Sequence, residues 1–264
     1  MPYNPGMFCL SRQVRFAVNS APDEQWQHPP TNSYGGYPTL RGVGRYFAAI
    51  ISLCGELDPT TQYMVNIKAI DQKLRDALSR MNLVHTPPLQ ILKMIFEQSQ
   101  RDWGERLQSV CLSVTPFFSI TIQTREQPMM RLSQKFEFSA SHRLHNPNMT
   151  DAENRSTFGK CNNPSGHGHN YEVQVTLLGK PGEKSGLLID VPAFERIVAD
   201  TVIEPFDHKN LNTEVPQFRE LIPSVENIAK VIYGLLNPKL KSDYCKLASV
   251  TVWETPKTWC EYSE

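Results

Sequence analysis

The sequence predicts an α+β fold written twice in one chain, and three observations carry that prediction. The first is an internal repeat. Leu10-Ser-Arg-Gln-Val-Arg-Phe-Ala-Val is answered by Leu132-Ser-Gln-Lys-Phe-Glu-Phe-Ser-Ala. Gly42-Val-Gly-Arg-Tyr-Phe-Ala-Ala-Ile-Ile-Ser-Leu-Cys-Gly55 is answered by Gly166-His-Gly-His-Asn-Tyr-Glu-Val-Gln-Val-Thr-Leu-Leu-Gly179, with the glycines in register. The second is strand-type alternation within these segments, and the third is a pair of amphipathic helical stretches after each. Strands followed by helices, twice over, read as two antiparallel four-stranded sheets, each with two helices on one face. The join falls near Gln127-Pro-Met-Met130, which gives domains of 1–126 and 131–264.

In the first copy a helix is expected from Ile67 to Arg80, with Asn66 as its N-cap. Ile67, Ile70, Leu74, Ala77, Leu78 and Met81 form its apolar stripe. A second helix follows Pro87-Pro88 and turns Leu89, Leu92, Ile95 and Phe96 inward. A strand over 111–124 closes the copy. In the second copy Asp190 caps a helix with Pro192 near its start, ending before Pro205. Ser224 caps another, with Val225, Ile228, Ala229, Ile232, Leu235 and Leu236 on one face, and Lys246–Glu254 is the last strand.

Composition narrows the function. Of 264 residues, 40% are apolar, enough for a core, and no stretch is long and apolar enough to span a bilayer. Lys+Arg and Asp+Glu balance at 27 each, with no basic stripe, so neither nucleic acid nor a membrane is an expected partner and the substrate should be small. Met1-Pro-Tyr-Asn-Pro-Gly lacks the basic and apolar regions of a signal peptide. Six cysteines (9, 54, 111, 161, 245 and 260) show no framework spacing, so reduced thiols and a cytoplasmic location are expected.

The chemistry concentrates in Phe158-Gly-Lys-Cys-Asn-Asn-Pro-Ser-Gly-His-Gly-His-Asn-Tyr171. His167 and His169 are two residues apart, and in an extended chain such side chains project from one face. Gly166 and Gly168 let a turn run straight into that strand. His142 ends an alternating run in which Phe136, Phe138, Ala140 and His142 share a face. A lone strand histidine is usually a hydrogen-bonded core residue, but three imidazoles with an open fourth position form a catalytic zinc ligand set. Nickel or copper would also accept it.

The run FGKCNNPSGHGHNY, with FSASHRL upstream and DHKNLN downstream, resembles the signature of the 6-pyruvoyl-tetrahydropterin synthase family over residues 130–262. The resemblance implies the tunnelling fold, whose sheets join between subunits into a barrel. It also implies conversion of 7,8-dihydroneopterin triphosphate to 6-pyruvoyl-tetrahydropterin, with loss of triphosphate. His142, His167 and His169 match the family's zinc ligands, and Cys161 matches its catalytic cysteine, a base once a nearby cation favours the thiolate. Asp207 and His208 match a carboxylate–imidazole pair that exchanges protons with thiol or substrate. Glu254 matches the pterin anchor, a carboxylate receiving paired N–H donors. Ser224 keeps a substrate-side hydroxyl where the family has threonines before Glu-Asn, while Val225 does not. Lys160 and Lys209 are weaker candidates for the triphosphate.

In the first copy Ser20 falls in line with His142, Val43 with His167, Arg45 with His169, and Tyr37 with Cys161. Ser79-Arg80 aligns with Asp-His and Gln123 with Glu254, so this copy is expected to be non-catalytic. Five residues separate Cys161 from His167, a spacing that resembles the pyruvoyl enzyme. In the related 6-carboxytetrahydropterin synthase of the queuosine pathway, three are usual. A non-catalytic pterin- or metal-binding scaffold is the remaining alternative. Because the family's single-domain subunits stack as two trimers with sites between subunits, a tandem chain is expected to form a homotrimer.

Overall fold

A computed structural model describes residues 7–19, 36–40, 44–80, 82–182 and 186–264. Ser20, Gly42, Val43, Met81 and the first six residues lie outside the described residues. The chain divides into two compact units, Met1–Leu132 and Ser133–Glu264.

In the first unit, β1 (Phe8–Asn19) pairs antiparallel with β2 (Gly44–Gly55). β2 pairs with β3 (Leu107–Ser113), and β3 with β4 (Phe118–Gln123). The closing strand expected over 111–124 is therefore a hairpin, broken where Pro116 interrupts the ladder. Two helices cross over between β2 and β3. Asn66 caps α1 (Ile67–Ser79) by accepting from Lys68 N, and α2 (Pro88–Trp103) begins on proline. Their buried residues, Ile70, Leu74, Ala77 and Leu78 with Ile91, Leu92, Ile95 and Phe96, match the apolar stripes except that Ile67 is exposed and Ile91 is buried rather than Leu89. The alternate residues Phe47, Ala49, Ile51 and Leu53 of β2 are buried as well, and Ile51 lies among Ile70, Leu74 and Ile95. Each buried Leu, Ile or Phe side chain among these contributes about 1.5–3 kcal/mol.

The second unit repeats this order with additions. β5 (Met130–His142) leads through α3 (Asp151–Phe158), opened by a Thr150/Glu153 capping box, into β6 (His167–Gly179). Asp190 caps α4 (Val191–Val198) by accepting from Ala193 N. Instead of stopping before Pro205, the helical path continues through a π turn at Ala199–Ile203 into α5 (Glu204–Phe206). The wider turn accommodates a proline whose missing N–H would break an α-helix. β7 (Lys209–Asn210) and α6 (Leu211–Glu214) follow, then α7 (Val225–Leu240), capped by Ser224, and the hairpin of β8 (Cys245–Thr255) and β9 (Thr258–Tyr262). Strand order is β5-β6-β8-β9, with β7 parallel to β5 at Ala140 and Ser141. This unit thus holds five strands where four were expected, and the strands of the described residues form one nine-stranded sheet rather than two of four. Lys246–Glu254 proves not to be the last strand, because the chain turns at Pro256 and pairs back.

Two details recur in both units. The β2–β3 register slips between Ser52 and Leu53, and the β6–β8 register slips between Thr176 and Leu177. These are corresponding positions of the repeat, where a bulge sharpens the local twist. Phe16 packs against Phe47 at 5.5 Å between ring centroids, as Phe138 stacks on Tyr171 at 5.0 Å. The registers also correct the alignment of Glu254. Ala48 faces Ser113 as Glu172 faces Trp253, so Val114, not Gln123, occupies the place of Glu254. Gln123 lies on β4 opposite Ser109.

The expectation of six reduced thiols fails at one pair. Antiparallel register sets Cys9 opposite Cys54, and they form a disulfide across 45 residues of sequence. Cys111, Cys161, Cys245 and Cys260 are free. Among the described residues, no helix is long and apolar enough to cross a membrane.

Candidate active site

β5 and β6 deliver the three imidazoles. Alternation along β5 buries Phe138, Ala140 and His142 on one face, and His142 is fully buried. Gly166 makes the entry to β6 possible. Its φ is +71°, and a Cβ there would stand 3.0 Å from the His142 carbonyl oxygen. His167 and His169 then project from the same face of β6. His142 Nε2 lies 3.1 Å from His167 Nε2, and the three rings have centroids 4.5–5.2 Å apart.

A backbone contact orients the buried ring. His142 Nδ1 is 2.7 Å from the carbonyl oxygen of Pro223, which only accepts, so Nδ1 carries the proton. In the neutral ring this leaves the Nε2 lone pair facing the cluster, as metal-binding histidines are typically arranged. Burial lowers the pKa of His167 and of His169, Glu254 opposing the shift in each case. Both rings are thereby favoured in the neutral form a cation requires.

Glu254 joins the cluster, which its reading as a pterin anchor did not anticipate. Its Oε1 lies 3.1 Å from His142 Nε2 and 3.3 Å from His169 Nε2. Candidate ligand atoms of His142, His167, His169 and Glu254 all fall within 4.8 Å of one another. His167 Nδ1 and His169 Nε2 are buried without a well-directed hydrogen bond, the close approach of Glu254 to the latter notwithstanding. A borderline divalent cation fits this donor set, since it would use lone pairs that the protein leaves unmatched.

Asp207 and His208 stand at the mouth. Asp207 Oδ1 accepts from Ser139 N and Oδ2 lies 2.7 Å from His208 Nδ1; these bonds, Ser139 first, lower its pKa. His208 adopts φ +57°, a conformation seldom seen outside glycine, and its side chain is 82% exposed. A cleft of about 540 Å³ is lined by His208 together with His169, Asn170, Lys209 and Glu214. Behind it, Asn212 clamps the backbone after His142, accepting from Arg143 N and donating to Arg143 O. Sequence reading missed that role, although Asn212 closes the quoted DHKNLN motif.

Cys161 lies half-buried in a short 3-10 turn whose carbonyl accepts from Leu144 N. Its neighbour Asn162 donates to Leu144 O, and Arg143 donates to Asn162 O. Ser224 uses its hydroxyl on the helix, accepting from Asn227 N at 3.4 Å. Lys209 pairs with Glu214 at 3.3 Å, and Lys160 is exposed. A second cleft, of about 620 Å³, runs along Glu137, Asn170, Tyr171, Trp253 and Glu254. In the first unit Arg45, aligned with His169, instead donates to the carbonyls of Leu83, Val84 and Thr86.

The second half matches known proteins. The chain is 37% identical to the 6-pyruvoyl tetrahydrobiopterin synthase of Drosophila melanogaster over 137 residues, covering 52% of this chain and 81% of that one. It is 30% identical over 157 residues to a 6-carboxy-5,6,7,8-tetrahydropterin synthase of Haemophilus influenzae, covering 52% of this chain and all of that protein. The solved structure of Caenorhabditis elegans 6-pyruvoyl tetrahydropterin synthase covers 53% of this chain and 98% of its own, with 35% identity and a TM-score of 0.48. The family described as 6-pyruvoyl tetrahydropterin synthase matches residues 131–264, the stretch that carries all three histidines, Cys161 and Glu254, and the chain belongs to that family of enzymes.

Proposed function

We propose that the protein is a zinc-dependent lyase converting 7,8-dihydroneopterin triphosphate to 6-pyruvoyl-tetrahydropterin with loss of triphosphate. The observation that carries this reading is the convergence of three imidazoles, one pinned through Nδ1 to Pro223 O. His142, His167 and His169 would hold the ion, which supplies a Lewis acid that binds and acidifies the substrate's hydroxyls. Glu254 would receive the amino group and adjacent N–H of the pterin ring. Cys161 would take the carbon-bound proton as thiolate. Asp207 fixes the Nδ1–H tautomer of neutral His208, whose Nε2 is left to exchange a proton with thiol or substrate. Ser224 would serve only through the helix start that it caps.

A second reading, 6-carboxytetrahydropterin synthesis from the same substrate, is favoured by the Haemophilus influenzae relative, which is matched over its whole length. Incubating the purified, zinc-loaded protein with dihydroneopterin triphosphate and weighing the products separates the two. A pyruvoyl pterin supports the first reading, and a carboxy pterin replaces it. No turnover, with pterin or metal still bound, points to a scaffold.

The recurring bulge and aromatic pair support reading 1–126 as a tandem tunnelling-fold copy without catalysis. Such a copy completes the assembly, so three chains would provide six units and three working sites, a closed arrangement that leaves no sheet edge exposed. Solution mass together with metal analysis tests this. A trimer with one zinc per chain is expected, and two zincs per chain or a stable monomer would refute it.

A further inference from the structure

We infer that Tyr171 is a positioning residue of the site, its phenolic hydroxyl holding the Glu254 carboxylate in the pose that receives a pterin ring. The inference rests on the reading of Glu254 as the ring anchor. Tyr171 is fully buried, and among the described residues its hydroxyl has no hydrogen-bond partner. Buried hydroxyls are nearly always paired, and leaving one unpaired is unfavourable.

Packing does not account for the hydroxyl. In the first unit Phe47 holds the corresponding place, is equally buried, and pairs with Phe16 as Tyr171 pairs with Phe138. Phenylalanine therefore satisfies this fold. The oxygen is present only in the unit that carries the histidines.

Its surroundings indicate the partner. His167, His169 and Tyr171 alternate along one face of β6, and the ring of Tyr171 lies 5.5 Å from that of His169 and 6.0 Å from that of His142. The β6–β8 register sets Glu172 opposite Trp253, the chain neighbours of Tyr171 and Glu254. Both residues line the 620 Å³ cleft. Glu254 Oε1 now leans on the Nε2 atoms of His142 and His169. Nε2 of neutral His142 offers Oε1 a lone pair rather than a proton, so the carboxylate lacks a donor there, and the Tyr171 hydroxyl of the same cleft can supply one. Held there by one oxygen, Glu254 offers the other acceptor positions to the ligand.

The test is a double-mutant cycle on the zinc-loaded full chain, reading affinity for neopterin by fluorescence titration. Tyr171→Phe reproduces the first unit's own residue and should keep its thermal midpoint and metal content while binding neopterin about tenfold more weakly. In a Glu254→Gln background the same change should cost less than about twofold, because the partner is already lost. Wild-type affinity in Tyr171→Phe, or effects of the two substitutions that multiply in full, would overturn the inference. Failure of the wild-type chain to bind neopterin would overturn the anchor reading and this inference with it.

Discussion

Replacing Gly166 by alanine separates backbone strain from damage to the histidine cluster. Gly166 sits at φ +71°, where an L side chain is strained by about 1–3 kcal/mol. Its new Cβ would also press on the His142 carbonyl oxygen at 3.0 Å, tighter than ordinary contact, so the backbone that carries His142 must shift by a few tenths of an ångström. At roughly 3 °C per kcal/mol for a chain of this size, the strain alone lowers the melting midpoint by about 3–9 °C. The displacement should also weaken metal binding, since ligand geometry tolerates little error. Gly159→Ala is the control. It too has a positive φ, +53°, but a Cβ there meets nothing within 4 Å. Differential scanning calorimetry of the apo proteins and zinc titration with a competing chelator give the two readouts. Both variants should melt early, and only Gly166→Ala should bind zinc more weakly. Equal zinc affinity in the two would show that the contact with His142 does not set the ligand geometry.

Three further outcomes are expected. His167→Ala should lower metal content sharply, and full zinc occupancy measured by mass spectrometry would remove His167 from the ligand set. Cys161→Ala should keep metal and pterin while turnover falls about 10²–10⁴-fold, the usual size of a lost proton-transfer group; wild-type turnover would shift suspicion to His208. Asp207 has a folded-state pKa below the ordinary carboxylate value, so its contribution to stability is present above the unfolded pKa and is lost as pH falls through the lowered one. Asp207→Asn should therefore reduce the loss of stability as pH falls below the ordinary carboxylate pKa. An unchanged acid-unfolding profile would show that the bonds from Ser139 and His208 do not act on folding.

What the sequence determined by itself lay within a few residues of each signal. Asn66, Asp190 and Ser224 cap the helices that their side chains announce, because a cap acts on amide groups two or three positions away. The i, i+2 spacing of His167 and His169 specifies one strand face for the same local reason. Only tertiary structure decided which distant groups meet. Cross-strand register set Cys9 against Cys54 and placed Val114 rather than Gln123 at the position of Glu254. The fold also brought Pro223 O to His142 and Glu254 to the histidines. Register follows from the sum of packing along whole strands and from bulges such as those after Ser52 and Thr176, and no short stretch of sequence contains that sum.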